Sequence, residues 1–524
     1  MLKINILIVA FSMISSSFSL YDEKYRPQIH FSPPNGWIND PNGLVYFNGI
    51  YHMFFQNNPY NTVPANNIHW GHAISRDLIH WKSLSTAIYP KDGNLIFSGG
   101  AIIDEHNVTG LRTNDNRATL IAVYAAHHLS TNDESQWISY SHDGPFYEKF
   151  RYYKKNAIIR NPNRRQKDFR DPFLFKYKDH YVITIAAHDR IMIFNSRNLL
   201  NWKLVSEFGV DTHGRVWECP SLFPINATIN GAKVEKWVLT ISLTGNELPN
   251  QQYFIGSFDG KNFKNDHSKD VKLWLHYGPD SYAGIVYNKL PDGRRIFISW
   301  MNKWEYAQQL NFNRWNGQMG IAQELRLIQV KDQIRLASLP VRELKKLRTK
   351  QLEQKKNIKI TNDYVYKLTK NGCHKAEDKL DIEMTVDLKN LKAGDTCNFV
   401  FSGSNEYLNI SLKGNEFTLD RSHSGRTNFT NFAKPWKCKR QSDDSKLEMR
   451  FVFDLSSIEV FIDGGMTTMT ALFFSKEDIA SKMQIRTHAK DSSIILKDLK
   501  VYRLKSIWNE FSIQSSPDKF PCSE

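Results

Sequence analysis

A short pattern recurs four times in the first half of the chain and constrains the fold more than any other feature. It consists of a serine, an Asp or Asn two residues later, and an aromatic residue four positions beyond that. Its copies are 75–81, 141–147, 196–202 and 257–263, so their starts lie 66, 55 and 61 residues apart. A period near sixty residues that carries four short strands is typical of β-propeller blades.

The sequence around these copies is rich in strand signals. Residues 44–55 form two β-prone runs around Asn48-Gly49, a dipeptide that favours a type I′ hairpin turn. Residues 174–187 and 285–300 have the same hairpin character. The strands over 282–330 carry no copy of the pattern and add a fifth unit. We therefore expect an all-β fold that begins with a five-bladed β-propeller over residues 25–335.

A chain of 524 residues is too long for one ordinary core. The pattern of strand signals changes after residue 336. A short linker with helical character is expected over 336–356. Alternating β-type segments then return at 380–388, 398–402, 407–412, 446–461, 468–474 and 493–504. This pattern predicts a second all-β unit, a C-terminal β-sandwich over 357–510.

Three carboxylates, Asp40, Asp171 and Glu218, stand close to a proline and to large apolar residues. They precede the pattern copies of their own units by 35, 25 and 39 residues, so each lies near the opening strand of a blade. Opening strands line the central channel, and the run at 97–100 lies at a comparable place in the second unit. The sequence therefore predicts that the three acids meet in one axial pocket and carry acid–base and nucleophilic chemistry.

The first nineteen residues have the features of a secretory signal peptide. Lys3 is the basic flank, residues 4–14 are largely apolar, and 17–19 form a small-x-small cleavage site. The apolar run is too short for a membrane span. Four Asn-x-Ser/Thr sequons fit the same route, at Asn107, Asn226, Asn409 and Asn428. We expect a secreted glycoprotein with a signal peptide over 1–19 and no membrane span.

The net charge of +15 and the pI of about 9.3 raise the question of an anionic partner. No zinc-finger spacing or RNA-binding signature accompanies the charge, so we predict a solvated basic surface and no nucleic-acid partner. Five cysteines are too few for a disulfide scaffold. Cys219 is expected to be a buried free thiol. The others allow three pairings that the sequence does not rank: Cys373, Cys397, Cys438 and Cys522.

The motifs, taken in order, resemble those of glycoside hydrolase family 32, the β-fructofuranosidase (invertase) family. The matching segments are 37–43, 70–77, 97–99, 169–172, 217–220 and 458–463. The resemblance covers nearly all of the mature chain and implies a five-bladed propeller joined to a β-sandwich. It also implies a retaining enzyme that needs no metal or organic cofactor. The leading hypothesis is a secreted sucrose hydrolase that also accepts raffinose or short fructans.

Position by position, the resemblance implies that Asp40 is the nucleophile, Glu218 the general acid/base and Asp171 the transition-state stabiliser. In this interpretation Arg170 helps to keep Asp171 ionised, and the apolar neighbours of Glu218 raise its pKa by desolvation. His127 and the other histidines show no ligand spacing and are interpreted as ordinary loop or core residues. The resemblance further implies sugar contacts from Asn39, Gln56, Trp70, Phe97, Ser98, Arg170, Tyr282 and Trp300.

Several alternatives stay open at this point. Plant-type invertases carry an Asp and Lys pair that favours sucrose, and the corresponding residues 245–253 lack it. A fructan exohydrolase or a fructosyltransferase would use the same three acids. An inverting propeller enzyme for arabinose or xylose linkages would not need the motifs at 37–43 and 217–220 together. A catalytically inactive sugar-binding protein would lose at least one acid, yet all three are present.

Overall fold

The structure is a computed structural model that describes residues 20–112, 117–163, 167–245, 249–310, 312–361, 379–392, 394–480, 482–488 and 492–508. Its strands form seven sheets, five in the first part of the chain and two in the last. The signal peptide predicted over 1–19 lies outside the described residues.

The first three sheets each run outward in sequence order, strand by strand. Sheet 1 contains β1 (Gly36–Phe47), β2 (Ile50–Asn58), β3 (His69–Ser75) and β4 (Trp81–Ser83). Sheet 2 contains β5 (Asn94–Asp104), β6 (Thr119–His128), β7 (Glu134–Ser141) and β8 (Arg151–Tyr152), with β9 (Ile159–Arg160) also paired to β7. Sheet 3 contains β10 (Phe169–Tyr177), β11 (His180–Ala187), β12 (Arg190–Ser196) and β13 (Lys203–Gly209).

The next two sheets follow the same plan. Sheet 4 contains β14 (Trp217–Ile229), β15 (Ala232–Leu243), β16 (Gln251–Phe258) and β17 (Phe263–Asn265), with β18 (Leu273–His276) also paired to β16. In sheet 5, β19 (Tyr282–Val286) and β20 (Arg295–Trp300) are followed by α1 (Trp304–Ala307) and by β21 (Trp315–Asn316), which pairs with β1. The sheet is completed by β22 (Gln323–Val330) and β23 (Gln333–Pro340).

The opening strands of these five sheets contact one another in a closed ring, from β1 through β5, β10, β14 and β19 back to β1. The five sheets are therefore blades around one axis, and the predicted five-bladed propeller is confirmed. Aliphatic and aromatic side chains of adjacent blades fill the spaces between them. This packing leaves the opening strands to line the axial channel.

The repeated sequence pattern is the connection from the third to the fourth strand of a blade. In the first copy the Ser75 hydroxyl accepts the Leu78 N–H at 2.9 Å, and Asp77 Oδ1 accepts the His80 N–H at 2.9 Å. The Trp81 indole then donates to the Leu78 carbonyl at 3.1 Å. In the third copy, 196–202, Asn198 takes the place of Asp77: its side chain accepts the Asn201 N–H at 2.9 Å, Trp202 donates to the Leu199 carbonyl at 3.0 Å, and the Ser196 hydroxyl accepts the Asn198 N–H at 3.1 Å. The pattern is thus the local hydrogen-bonding chemistry of a turn.

A 3₁₀ helix (Arg342–Leu347) leads from β23 into two sheets that pack face to face. Of the predicted linker 336–356, only 341–347 lies between strands, since 336–340 ends β23 and 348–356 begins β24. The strands, with a 3₁₀ turn (Asp463–Gly465) before β32, are β24 (Arg348–Ile360), β25 (Lys379–Asp387), β26 (Thr396–Ser402), β27 (Tyr407–Lys413), β28 (Glu416–Asp420), β29 (Trp436–Lys439), β30 (Lys446–Phe453), β31 (Ser457–Ile462), β32 (Thr467–Leu472), β33 (Met483–His488) and β34 (Ile494–Leu504).

One sheet has the order β24-β34-β25-β30-β31-β32 and the other β29-β28-β27-β26-β33, and a single apolar core lies between them. The predicted β-sandwich is confirmed. The predicted β-type segment 446–461 contains two strands, β30 and β31, which are joined by a turn at Asp454. The carboxylate of Asp454 accepts the N–H groups of Gln28 and Ile29 at 2.8 and 2.9 Å, so the turn anchors the N-terminal segment.

The cysteines make no disulfide within the described residues. Cys219, Cys397 and Cys438 are buried free thiols, as expected for the first of them. Cys397 and Cys438 both lie in the apolar core of the sandwich, and they are not bonded to each other. Cys373 and Cys522 lie outside the described residues.

A fully buried ion pair joins the two domains. The Arg421 guanidinium, at the end of β28, reaches Asp280 of the propeller at 2.5 Å and the Tyr306 hydroxyl at 2.8 Å. The Asp280 oxygen that faces Arg421, Oδ2, also accepts the Leu472 N–H of β32 at 2.8 Å, and the other oxygen accepts the Tyr306 hydroxyl. Buried charges of this kind are tolerated only when each is paired and hydrogen-bonded, so all these groups depend on one another.

We expect Asp280→Ala to lower the free energy of unfolding by about 3–5 kcal/mol, because it leaves the Arg421 charge buried without a partner. Urea denaturation followed by tryptophan fluorescence measures this change. The matched control is Asp443→Ala, which breaks the exposed interdomain pair Lys331–Asp443 and should leave the transition where it was. Equal effects of the two substitutions would contradict the assignment.

Candidate active site

One pocket lies at the axial end of the propeller, where the opening strands β1, β5, β10 and β14 converge. Its volume is about 220 Å³. The lining residues combine three acids, one arginine and a rim of apolar and aromatic groups: Asn39, Asp40, Gln56, Pro64, Asn66, Ile68, Leu95, Phe97, Ser98, His127, Arg170, Asp171, Glu218 and Trp304. The three predicted acids, 131 and 47 residues apart in sequence, thus share one cavity.

The opening strand of every blade is interrupted at the level of this pocket. In the pairing of β1 with β2, the pair Ile38–Asn57 is followed by the pair Pro41–Phe55. Two residues of β1, 39 and 40, therefore lie opposite one residue of β2. The same one-residue bulge occurs at 97–98, 171–172, 219–220 and 283–284. A bulge redirects side chains and leaves backbone groups out of the ladder. Proline is therefore tolerated at positions 172 and 220, where no N–H is needed.

The bulges are of two kinds, which differ in the backbone conformation of the first bulged residue. In blades three to five the first bulged residue is left-handed, with φ of 59° at Asp171, 49° at Cys219 and 53° at Ala283. In blades one and two the corresponding residues, Asn39 and Phe97, have no positive φ. The left-handed conformation is uncommon for residues other than glycine, so the ring of bulges is a specified feature of the chain.

Asp40 is held by hydrogen bonds to both of its oxygens. The Ser98 hydroxyl donates to Oδ2 at 2.7 Å, and the Asn39 amide donates to Oδ1 at 3.1 Å. The Trp37 indole in turn fixes Asn39 at 2.6 Å. Burial and the charge of Glu218 raise the pKa of Asp40 to about 6, against the opposing effect of these donors.

Asp171 is the most enclosed of the three acids. Its Oδ2 accepts the Cys219 N–H at 2.9 Å, and the Cys219 thiol lies 3.6 Å from it and 3.7 Å from Asp40 Oδ2. Burial raises the pKa of Asp171 to about 8; Arg170 lowers it, while Glu218 and Asp40 raise it further. Arg170 therefore acts on Asp171 in the expected direction, since it lowers the pKa, but burial and the two neighbouring acids act in the opposite direction and their combined effect is larger.

The Arg170 guanidinium bonds other carboxylates instead. It donates to Glu218 Oε1 at 2.9 Å and to Asp168 Oδ1 at 2.6 Å, and lies 3.5 Å from Glu134. The other oxygen of Glu218 accepts the Tyr282 hydroxyl. Glu218 is thus oriented from two sides, with its carboxyl group still open to the pocket.

Five of the predicted sugar contacts line the pocket: Asn39, Gln56, Phe97, Ser98 and Arg170. The structure places the other three behind its wall. The fully buried Trp70 donates to the Phe97 carbonyl at 3.0 Å, and Tyr282 is buried and bonds Glu218. Trp300 is fully buried beneath Trp304, with ring centroids 4.9 Å apart. These three side chains support the wall because packing in the blade core encloses them.

Three residues at or beside the pocket were not predicted from the sequence. Trp304 is 42% exposed and lines the pocket from α1, and its spacing of four residues from Trp300 was the available signal. His127, interpreted as an ordinary residue, also lines the pocket and stacks on Phe97 at 4.5 Å. Glu134, 3.2 Å from His127, gave no sequence signal, because it reaches the site only through the pairing of β6 with β7.

Comparison with known proteins points to a single family. The model of the glycosyl hydrolases family 32 N-terminal domain matches residues 30–340, and that of the C-terminal domain matches 343–503. A levanase of Bacillus subtilis is 34% identical over 98% of this chain and 75% of its own length. An extracellular exo-inulinase of Aspergillus ficuum is 31% identical over 96% and 98%. The crystal structure of exo-inulinase from Aspergillus awamori superposes with a TM-score of 0.84, at 29% identity over 93% of this chain and all of that one.

We expect Asp171→Asn to stabilise the protein at alkaline pH and not at acidic pH. A carboxyl whose folded pKa is raised from 3.8 to about 8 contributes stability that is present below pH 4 and lost as pH rises through 8. Asn resembles the neutral acid and can keep the bond to Cys219, so the variant escapes this loss.

The measurement is the melting temperature of variant and parent at pH 4 and pH 8.5. The exposed Asp211→Asn, with a side chain 81% exposed, is the control and should change neither value. A variant that is no more stable than the parent at pH 8.5 would show that Asp171 is not held neutral.

Proposed function

The chain belongs to glycoside hydrolase family 32, whose members hydrolyse fructosides, and we propose that it is a retaining β-fructofuranosidase releasing terminal fructose from fructans and from sucrose. The observation that carries the proposal is the meeting of Asp40, Asp171 and Glu218 around one pocket. A pair of carboxyl groups on the two sides of a scissile bond is what glycoside hydrolysis requires.

In the proposed mechanism Asp40 attacks the anomeric carbon of the fructosyl unit and forms a covalent ester. Glu218 donates a proton to the departing glycosidic oxygen, then takes a proton from the water that cleaves the ester. Two features support these roles. Ser98 and Asn39 stabilise the ionised form of Asp40, and Tyr282 with Arg170 fixes both oxygens of Glu218.

Asp171 has a binding role in this proposal. Burial raises the pKa of Asp171, which favours a protonated carboxyl group in the free site, and that form can donate to one sugar hydroxyl while accepting from another. Because Cys219 N–H holds one of its oxygens, the group has a fixed orientation. A neutral acid here also limits repulsion between the three carboxyl groups before substrate binds.

The substrate range rests on the relatives rather than on the pocket. The relatives named above are a levanase and an exo-inulinase, which favours fructans over a strict sucrose preference. The segment 245–253, where plant-type invertases carry their sucrose-favouring pair, lacks that pair, and residues 246–248 lie outside the described residues. We therefore put fructan hydrolysis first and sucrose hydrolysis second.

Secretion is part of the proposal. The relative from Aspergillus ficuum is named extracellular, and no helix of the described residues has the length and apolar character of a membrane span. Among the four sequons, Asn226 and Asn428 are exposed, while Asn107 and Asn409 are half-buried. Asn409 donates to Asn398 at 3.3 Å inside the sandwich sheet, so glycans are expected on the two exposed sites first.

The proposal predicts that the purified protein releases fructose from levan, inulin, sucrose and raffinose without forming shorter oligosaccharides early in the reaction. Chromatography of the products, with NMR of the first anomer released, measures both the chain-end attack and retention. Asp40→Ala should lower kcat roughly 10⁴-fold or more while the protein stays folded. Early oligosaccharides, the inverted anomer, or an active Asp40→Ala variant would refute the proposal.

We also expect Ser98→Ala to move the acid limb of the kcat/KM profile to higher pH by about one to two units. The nucleophile must be ionised, and loss of the 2.7 Å Ser98 bond removes about 1.5–3 kcal/mol of stabilisation from its charged form. Ser139→Ala is the control, since Ser139 is a buried serine of the same blade bonded to Tyr124. An unmoved acid limb in Ser98→Ala would contradict Asp40 as the group titrated.

A further inference from the structure

Two exposed tyrosines lie on either side of one histidine ring beside the pocket. Tyr60 is 73% exposed and Tyr89 is 48% exposed. The Tyr60 ring centroid lies 5.8 Å from that of His69, and the Tyr89 centroid lies 5.3 Å from it on an edge-to-face angle of 82°. Single exposed apolar residues are common on protein surfaces, but these form one aromatic strip. We call the three rings the Tyr60–Tyr89 strip.

The backbone beneath both tyrosines is held in place. The buried Asn58 accepts the Tyr60 N–H at 3.1 Å and donates to the carbonyls of Val63 and Pro64 at 3.0 and 2.9 Å. On the other side, the Tyr152 hydroxyl donates to the Tyr89 carbonyl at 2.5 Å. The rings are therefore presented by ordered segments, and little entropy would be lost when a ligand covers them.

The strip begins where the pocket wall ends. The same loop that carries Tyr60 places Pro64 and Asn66 on the wall. Ile68 also lines the pocket, and the next residue along β3 is the histidine of the strip. A chain that leaves the pocket over this side would cross the two tyrosine rings next.

The chemistry of the strip suits a neutral, ring-bearing polymer. Burial lowers the pKa of His69, so its imidazole is uncharged at neutral pH, and the two tyrosines add flat, partly apolar faces with a polar edge. Sugar rings present C–H faces that pack on such surfaces, whereas a polyanion would need cationic groups in contact.

We propose that the Tyr60–Tyr89 strip is a remote subsite that binds the fructan chain beyond the units held in the pocket. This inference rests on the proposed function, since it names the part of a long substrate that the pocket leaves outside. It assigns to the strip a role in polymer affinity and none in bond cleavage.

The test is the Tyr60→Ala/Tyr89→Ala double variant, assayed on levan and on sucrose. An aromatic contact contributes about 0.5–1.5 kcal/mol, so we expect KM for levan to rise roughly tenfold, with kcat on levan and kcat/KM on sucrose unchanged. The double Tyr→Phe variant should keep the parental KM, because ring packing needs no hydroxyl. The control Tyr407→Ala removes a tyrosine stacked on His423 in the sandwich at 4.7 Å and should alter neither substrate.

Two results would overturn the inference: a parental KM for levan in the double Ala variant, or equal losses on levan and sucrose, which would place the effect inside the pocket. Failure of the proposed function would look different, since the parent would then hydrolyse neither substrate. Binding is tested without turnover by electrophoresis of the Asp40→Ala chain in gels that contain levan. Retardation that disappears when Tyr60 and Tyr89 are also changed to Ala supports the strip, and retardation that persists contradicts it.

Discussion

The site depends on one backbone constraint, a bulge at the same level in the opening strand of each of the five blades. Without it, side chains on an opening strand would alternate between the two faces of the blade and pack against neighbouring blades. The bulge places two residues opposite one and turns the strand at the mouth of the channel. Functional residues are therefore found in pairs around it, such as Asn39 with Asp40 and Arg170 with Asp171.

The three acids occupy different positions relative to their bulges. Glu218 precedes its bulge, Asp171 is the first bulged residue and Asp40 is the second. Three carboxyl groups at equivalent positions of a symmetric ring would have similar surroundings. The stagger gives each its own: hydroxyl and amide donors for Asp40, a backbone N–H for Asp171, and Arg170 with Tyr282 for Glu218. Different environments let identical functional groups take different protonation states.

Much of the fold could be predicted from the sequence because the turn before the last strand of a blade depends on hydrogen bonds between residues that are close in sequence. The Ser75 turn and its copies require particular side chains at fixed spacing, whatever surrounds them. The acids could be found because their proline neighbours mark breaks in the ladder. The charges around the site could not be predicted in this way. One partner of Arg170 is Glu134, which lies 36 residues earlier in the sequence and reaches the site only because β7 pairs with β6. For the same reason Trp70 and Trp300 were assigned to the pocket, although the packing that encloses them comes from other blades.

The sandwich takes part in the site through the buried Arg421. Its guanidinium holds Asp280, two residues before Tyr282, and Tyr306, two residues after Trp304. Tyr282 orients Glu218, and Trp304 forms one wall of the pocket. One side chain of the C-terminal domain therefore holds two segments of the fifth blade, the one whose Trp304 lines the cavity and the one whose Tyr282 orients Glu218 from behind the wall. The fifth blade has the shortest opening strand of the ring, five residues in β19 against nine to thirteen in the others, and so the fewest ladder bonds of its own. We infer that contacts with the sandwich, made through Arg421, hold this part of the fifth blade in place where the few hydrogen bonds of its own sheet do not.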